Sequence, residues 1–581
     1  MFLMPTFFNN YLRERGLGHQ IYAAMKNDDY SDVVMTALRV LEESGSLPTI
    51  EKENKCEKRS DKYREEGNIA FKVGNVYRAL EFYNRALMFA PKNSRAIKLA
   101  YSNRSAILFK MEQFSKCLID IETCCKLGCP TDIESKLIKR KNEAIKRSKI
   151  ENITASLLAS YFKDYCKFDV KTNTSIPCAS SDIEVIKGNV FKVVAAKDIK
   201  VGTPLALEDS FVSCNNEENI PFSCHYCHKM SLNLIPCEGC CLVLFCSEEC
   251  KEICLKEYHS IECQIMEVIQ SIAFSPMAKL MIKGTLKFVQ MCGSWKKVIS
   301  SSHCTGADRI RISSEQEMYD VNNKFSVLNF NDNRLFVHGS MYSASFVCAT
   351  FIYYLERISG YLPSSFDERK LAKKALGRIM MYFSLYASPT PVNLRVSDTK
   401  NRKSFLNPIS NHGWYPLIGK LKESCSPNLF VINLNKKMLL IALKPIKMGS
   451  ELTVSHIGHY LIHQHEHRAK TSISFNLFEN VCDCIICTGE WKSQRKQFAF
   501  TEKQLNLYKE RFLHEDVGVN IMRIPDLFQK ICNALTCFSE VPFSEEYVRV
   551  FTKFFEFISA YQEVVCSNVV LIENPDGSVR G

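Results

Sequence analysis

Nowhere in its 581 residues does the chain approach the eighteen or more uncharged apolar residues that a membrane-spanning helix requires, so no membrane is expected among its partners. The opening MFLMPTFF is apolar but lacks a basic lead and runs straight into NNYLRERG, which does not read as a secretory signal. The formal net charge of +12 is spread along the chain without the dense basic block of a nucleic-acid arm. It therefore reads as a solvated surface, and direct nucleic-acid binding is not expected. These absences point to the cytoplasm or the nucleus. In a reducing compartment the 27 cysteines read as metal ligands or buried thiols rather than disulfides.

What is present is an ordinary globular composition, 46% hydrophobic and 24% charged, in a chain too long for one core. The expected fold class is α+β. Residues 1–60 read as a helical lead and 61–150 as two tetratricopeptide-like helical repeats followed by a basic helix. Gly67, Ala79, Tyr83, Ala86 and Pro91 in the first repeat, and Ser105, Cys117 and Cys124 in the second, fall at small, aromatic and closing positions. Such stacked pairs present a face for protein partners, to which Lys98, Arg104 and Lys110 are expected to add charge. Residues 183–223 change to short strands, with a turn at Val201–Gly202, and strands resume at NLFVINLNKKMLLIALKPI. Between them lies a mainly helical stretch, 266–410; the tail, 491–581, reads as helices again.

The strongest signal is residues 224–263, where CHYC, CEGC, CSEEC and HSIEC supply four ligand pairs. They are Cys224 and Cys227, Cys237 and Cys240, Cys246 and Cys250, and His259 and Cys263. Thiolates with one imidazole at two- and three-residue gaps suit tetrahedral zinc, and eight ligands make two closed sites. Cys241 and Cys254 read as bystanders. A second cluster, CDCIIC, offers Cys482, Cys484 and Cys487, one ligand short of a site. The five histidines at 456, 459, 463, 465 and 467 read as a solvated segment rather than another metal site.

The order of the four pairs resembles the MYND zinc finger. That resemblance implies that the first and third pairs hold one zinc and the second and fourth another. The gap from Cys250 to His259 is one residue longer than the family pattern, which is expected to be taken up in a loop. With strands on both sides and C-x-C-x-x-C after the last of them, residues 61–490 resemble the SET and MYND domain family of lysine methyltransferases, in its branch with leading tetratricopeptide repeats. On this resemblance 183–223 and 411–490 are the two parts of a SET domain, split by the finger and the helical insert. Cys425 then completes the second cluster, for about three zinc ions in all.

The resemblance also implies S-adenosylmethionine as cofactor and a lysine-containing protein as substrate. The family's cofactor positions fall on Val190, Lys192, Asn393, Lys422, Glu423 and Phe478, and its catalytic tyrosine on His456, with Tyr460 nearby. Both glycines of the Gly-x-Gly turn are missing at Val190 and Lys192, although Lys192 retains reach to a cofactor carboxylate. An Asn-His pair is replaced by Lys422 and Glu423, and an ammonium 4 Å from the cofactor's positive groups would cost roughly 4 kcal/mol at an effective dielectric near 20. The expected function is a SET-MYND protein-lysine N-methyltransferase of weakened activity. The alternative is a catalytically degenerate scaffold for protein–protein interaction.

Overall fold

The computed structural model describes residues 18–165, 176–186, 192–302, 338–386, 411–455, 459–461, 484–489, 499–515 and 526–566, with gaps of one to three residues inside some ranges, together with Asn173 and two short strands near the C-terminus. No described helix is long and apolar enough to cross a membrane.

The lead forms helices Gly18–Ala24 and Tyr30–Glu43. The second begins where the Asp29 carboxylate accepts from the Ser31 amide, and Val33, Val34, Ala37, Leu38 and Leu41 give it a buried face. That face packs on helices His338–Leu355 and Phe366–Tyr386 of the insert, where Arg378 grips Asp29 at 2.6 and 2.8 Å. The lead thus docks on the insert, more than three hundred residues away.

Four helices follow in antiparallel pairs, Glu57–Lys72 with Val76–Phe89 and Arg95–Lys110 with Phe114–Lys126, and then the long helix Thr131–Tyr165. Gly67 is required where the first pair crosses: a Cβ there would meet the Tyr83 ring at 2.5 Å. Ala79, Ala86, Ser105, Cys117 and Cys124 are buried in the same core, so the small positions read from the sequence are where the helices approach.

The charge assigned to this array needs one correction. Arg104 is not on a binding face; it is wholly buried, because two charges on neighbouring helices neutralise each other there. Its guanidinium holds both oxygens of Asp120 at 2.7 Å and donates to Asn84 Oδ1 at 2.8 Å and to the Leu234 carbonyl at 2.6 Å. Asn84 in turn donates to the Pro221 carbonyl at 2.8 Å. Leu234 lies between two ligand pairs of the cysteine-rich block, so this network ties the helical array to that block. Phe222, Met230 and Leu232 complete the junction within the array's core.

The strands come from two distant segments. Strands β1 (Ile183–Ile186), β2 (Lys192–Ala195), β3 (Pro204–Asp209) and β4 (Val212–Asn215) precede the cysteine-rich block, which holds a small β5–β6 hairpin (Ile235–Pro236, Leu244–Phe245). Strands β7 (Asn411–Trp414), β8 (Lys422–Glu423), β9 (Leu429–Leu434), β10 (Lys437–Ala442) and β11 (Thr453–Val454) follow the insert. The two sets interleave where β3 pairs with β10 and β4 with β7, while β1 pairs with β2 and β8 runs parallel to β11 within their own sets. The β9–β10 turn places Asn435 at φ 63°, a conformation asparagine tolerates. Side chains alternate along β10, so that Met438 and Leu440 enter the main core while Leu439 and Ile441 face the tail.

That second face is covered by helices Leu527–Phe538 and Glu545–Cys566, with Phe538, Phe551, Phe554 and Phe557 packed around Phe430 and Ile432. Gly202, at φ +82°, has no room for a Cβ because Cys532 Sγ would lie 2.6 Å away. The tail is therefore the second layer of the β9–β10 sheet.

Arg104→Met should destabilise the chain by about 3–5 kcal/mol, because it strands the buried Asp120 carboxylate and the Leu234 carbonyl. Denaturant melts of the single variant and of Arg104→Met/Asp120→Leu check this. The double variant should recover much of the loss; equal stability of wild type and single variant would contradict it.

Candidate functional site

The ligand side chains of the cysteine-rich block converge on two points. Cys224, Cys227, Cys246 and Cys250 bring four sulfurs within 4.8 Å of one another, and Cys237, Cys240, His259 and Cys263 bring together three sulfurs and a ring nitrogen. Neighbouring ligand atoms stand 3.5 Å apart for Cys227–Cys246, 3.6 Å for Cys246–Cys250, 3.7 Å for Cys237–Cys263 and 3.8 Å for Cys240 to His259 Nε2. A tetrahedron with metal–sulfur bonds of about 2.3 Å has edges of about 3.8 Å, so both cages fit a zinc-sized ion. Burial and its neighbours push the Cys224 thiol up, whereas hydrogen bonds from Cys240 and Cys263 hold Cys237 down. Cys241 and Cys254 are buried outside both cages, and Cys241 approaches the Glu53 carbonyl at 3.5 Å.

The extra residue between Cys250 and His259 is not in a loop. Ser247 caps a helix beginning at Glu248, and that helix widens to a π turn over Leu255–His259 before resuming through Ser260–Glu262. A π turn absorbs one residue without changing the phase of the helical turn after it, which keeps His259 aimed at its cage.

Around the second cage lies a shell of buried polar groups. His259 Nδ1 is 2.7 Å from Glu262 Oε2, and the same oxygen is 2.9 Å from His225 Nε2. Lys283 Nζ, from helix Pro276–Cys292, stands 3.7 Å from the other carboxylate oxygen. That helix starts with a Ser275 cap and Pro276 and ends at left-handed Gly293, which fixes the level of Lys283. Burial and Lys283 push His225 down to about 4, so it is neutral at pH 7.

A third cluster forms where the post-strand cysteines return to the loop before β9. Cys425, Cys484 and Cys487 lie within 4.8 Å of one another, with Cys487 and Cys425 sulfurs 3.6 Å apart. Cys482 lies outside the described residues. The loop carrying Cys425 is held from both sides. The buried Glu208 carboxylate accepts from the Leu417 and Ile418 amides at 2.8 and 2.9 Å, and the Asn428 side chain bonds Glu451 O and Thr453 N at 2.9 and 2.8 Å.

Of the expected cofactor positions, the described residues include Lys192, Lys422 and Glu423. Lys192 opens β2 with an exposed side chain, and Glu423 is buried in β8. Lys422 differs from the expected buried charge: its side chain is 44% exposed and its ammonium is 4.0 Å from Glu451. Alternation along β8 turns Glu423 inward and Lys422 to solvent. Tyr460 donates its hydroxyl to the Pro542 carbonyl, and its amide donates to the Cys425 carbonyl at 3.0 Å. His459, placed by sequence in a solvated segment, is instead buried and stacked on Phe551 at 4.6 Å, because the tail helices cover it. Val190, Asn393, His456 and Phe478 lie outside the described residues, as do His463, His465 and His467.

No protein-family model matches the chain. It is 28% identical over 293 residues to the protein-lysine N-methyltransferase SMYD4 of Mus musculus, covering 39% of this chain and 36% of that protein. It is 26% identical over 269 residues to the Homo sapiens protein of the same name, covering 35% and 33%. Over these stretches the chain is similar to SMYD4 proteins. It spans about a third of the length of the curated relatives it matches. Over 76 residues, 13% of this chain and 21% of the relative, it is 37% identical to stress-induced-phosphoprotein 1 of Caenorhabditis elegans.

Sequence reasoning passed over Glu262, Lys283, Glu208 and the Arg104–Asp120 pair. Glu262 alone had a local signal, since it stands three residues after His259 and therefore on the same helix face. The other partners are brought in by tertiary packing.

Adjacent cysteines separate ligation from mere burial. Cys240→Ser should lower bound zinc by one ion per chain, and Cys241→Ser should leave it unchanged. Native mass spectrometry measures both; equal zinc content in the two variants would contradict the assignment.

Proposed function

We propose that the chain is a SET-MYND protein-lysine N-methyltransferase in which zinc-filled cysteine clusters frame an altered S-adenosylmethionine pocket. The observation carrying this reading is the strand framework of two distant segments, β1–β4 and β7–β11, locked at Cys425 and flanked by two four-ligand cages. Similarity to proteins named protein-lysine N-methyltransferase supports the same activity here. When bound, S-adenosylmethionine would supply the electrophilic methyl group. The chain would have to bind an uncharged lysine in line with it, although the reference pKa of that amine is near 10.4.

In this reading residues 183–223 and 411–490 are the SET portions, 224–263 the MYND finger, Lys192, Lys422, Glu423 and positions 190, 393 and 478 the cofactor side, and position 456 with Tyr460 the catalytic side. About three zinc ions would be bound, the third completed by Cys482. The exposed Lys422 supports cofactor entry, because its charge is paired with Glu451 and need not oppose the sulfonium.

One observation favours the scaffold alternative: the Tyr460 hydroxyl is committed to Pro542 rather than left to shape a methyl-transfer channel. Under either reading, protein partners would be recruited through the finger and the tetratricopeptide-like array. Asn68 accepts from Tyr83 and Asn103 at 3.0 and 2.7 Å across three helices of the array. Beside it Arg140 donates to Ser102 O and Ser105 Oγ and, among the described residues, has no carboxylate partner. This polar, positively charged face suits an acidic peptide segment.

Calorimetric titration with S-adenosylmethionine, paired with methyl transfer to lysine peptides, tests the proposal. Saturable binding with transfer is expected, and Lys422→Asn should change affinity by less than about threefold because the charge is already solvated. Binding without transfer would support the scaffold; no binding would overturn the enzyme reading.

A further inference from the structure

We propose that Glu262 is the positioning residue of the second metal site: its carboxylate fixes the His259 ring so that Nε2, and not Nδ1, serves as ligand, and Lys283 couples that setting to the insert. The inference rests on the reading of Cys237, Cys240, His259 and Cys263 as a zinc cage.

Imidazole carries two nitrogens, and which of them ligates depends on what the other one bonds. Here Nε2 is 3.8 Å from Cys240 Sγ, at a ligand–ligand distance, while Nδ1 is 2.7 Å from Glu262 Oε2. A carboxylate accepts only, so Nδ1 must donate, and the lone pair is left on Nε2 facing the thiolates. Both side chains are buried, with His259 fully enclosed and Glu262 likewise, so water does not compete for the arrangement.

A buried carboxylate requires a counter-charge. Lys283, itself only 4% exposed, stands 3.7 Å from Glu262 Oε1 and reaches the Ser213 carbonyl in β4 at 3.4 Å. His225, next in sequence to Cys224 of the first cage, shares Oε2 at 2.9 Å. A single carboxylate therefore meets the ligand of one cage, the neighbour of a ligand of the other, and a helix of the insert. The π turn Leu255–His259 serves this geometry, because without it the helix that carries His259 and Glu262 would present them about 100° out of phase with the cage.

The test uses the full-length, zinc-loaded chain and the chelating dye 4-(2-pyridylazo)resorcinol. Glu262→Gln should release one zinc equivalent about 10–100-fold faster, with the others leaving at the wild-type rate. Lys283→Met, which leaves every ligand in place, should accelerate the same equivalent. Nitrogen-15 spectra of the ring should show His259 with its proton on Nδ1 in wild type and a changed signal in Glu262→Gln, a signature that a merely structural loss would not give. Wild-type release rates in both variants would overturn the inference while leaving the cage intact. A wild-type chain lacking zinc at His259 would instead overturn the cage assignment and the inference with it.

Discussion

Eight ligand side chains from a forty-residue stretch meet at two points, and both points are packed within the surrounding core. Four thiols, or three with an imidazole, packed at 3.5–3.8 Å are an unfavourable arrangement for thiolates without a cation, since burial and mutual repulsion both oppose their ionisation. A zinc-sized cation bound there would reverse the sign of that interaction and turn the same geometry into folding free energy. The other modules are built onto this constraint. The helical array is fastened through Arg104 to Leu234, the leading segment through Cys241 to Glu53, and the insert through Glu262 to Lys283.

The consequence is mechanical. A chain that alternates helical and strand segments over more than five hundred residues could have formed loosely tethered domains, yet its buried polar contacts cross between segments. Asn84 bonds Pro221, Glu208 bonds the 417–418 amides, and Arg378 bonds Asp29. Each is a polar or charged group taken out of water or half-way out, and each would be costly to leave unpaired. Among the described residues, the positions that the family resemblance gives to a cofactor lack this density. Lys192 and Lys422 face solvent, and the loop around Cys425 is anchored by its neighbours rather than by the residues expected to hold a ligand.

How much of this was legible in the sequence depends on how local each signal was. Cysteine pairs at two- and three-residue gaps are local signals, so the four ligand pairs and the turns at Gly202 and in NLNKK could be read, whereas the grouping of the pairs into two cages came from the family resemblance. The small residues Gly67, Ala79 and Ala86 marked helix contacts for the same reason. Arg104 could not be read: an arginine among lysines looks like surface charge until the fold brings Asp120, sixteen residues on, and Leu234 to it. Lys422 and Glu423 were legible as an altered motif but not in direction, because a one-residue alternation decides which side chain faces inward. The one-residue insertion before His259 was visible, whereas its resolution as a π turn depended on the helix continuing to Glu262.

The central claim is that the metal cages hold the helical array in place as well as the finger itself. Amide hydrogen exchange before and after zinc is stripped by a chelator tests it most directly. The account predicts that residues 84–126 of the array lose protection together with residues 224–263, since Asn84 and Arg104 lose the Pro221 and Leu234 carbonyls that pin them. Loss of protection in the finger alone, with the array unchanged, would contradict it.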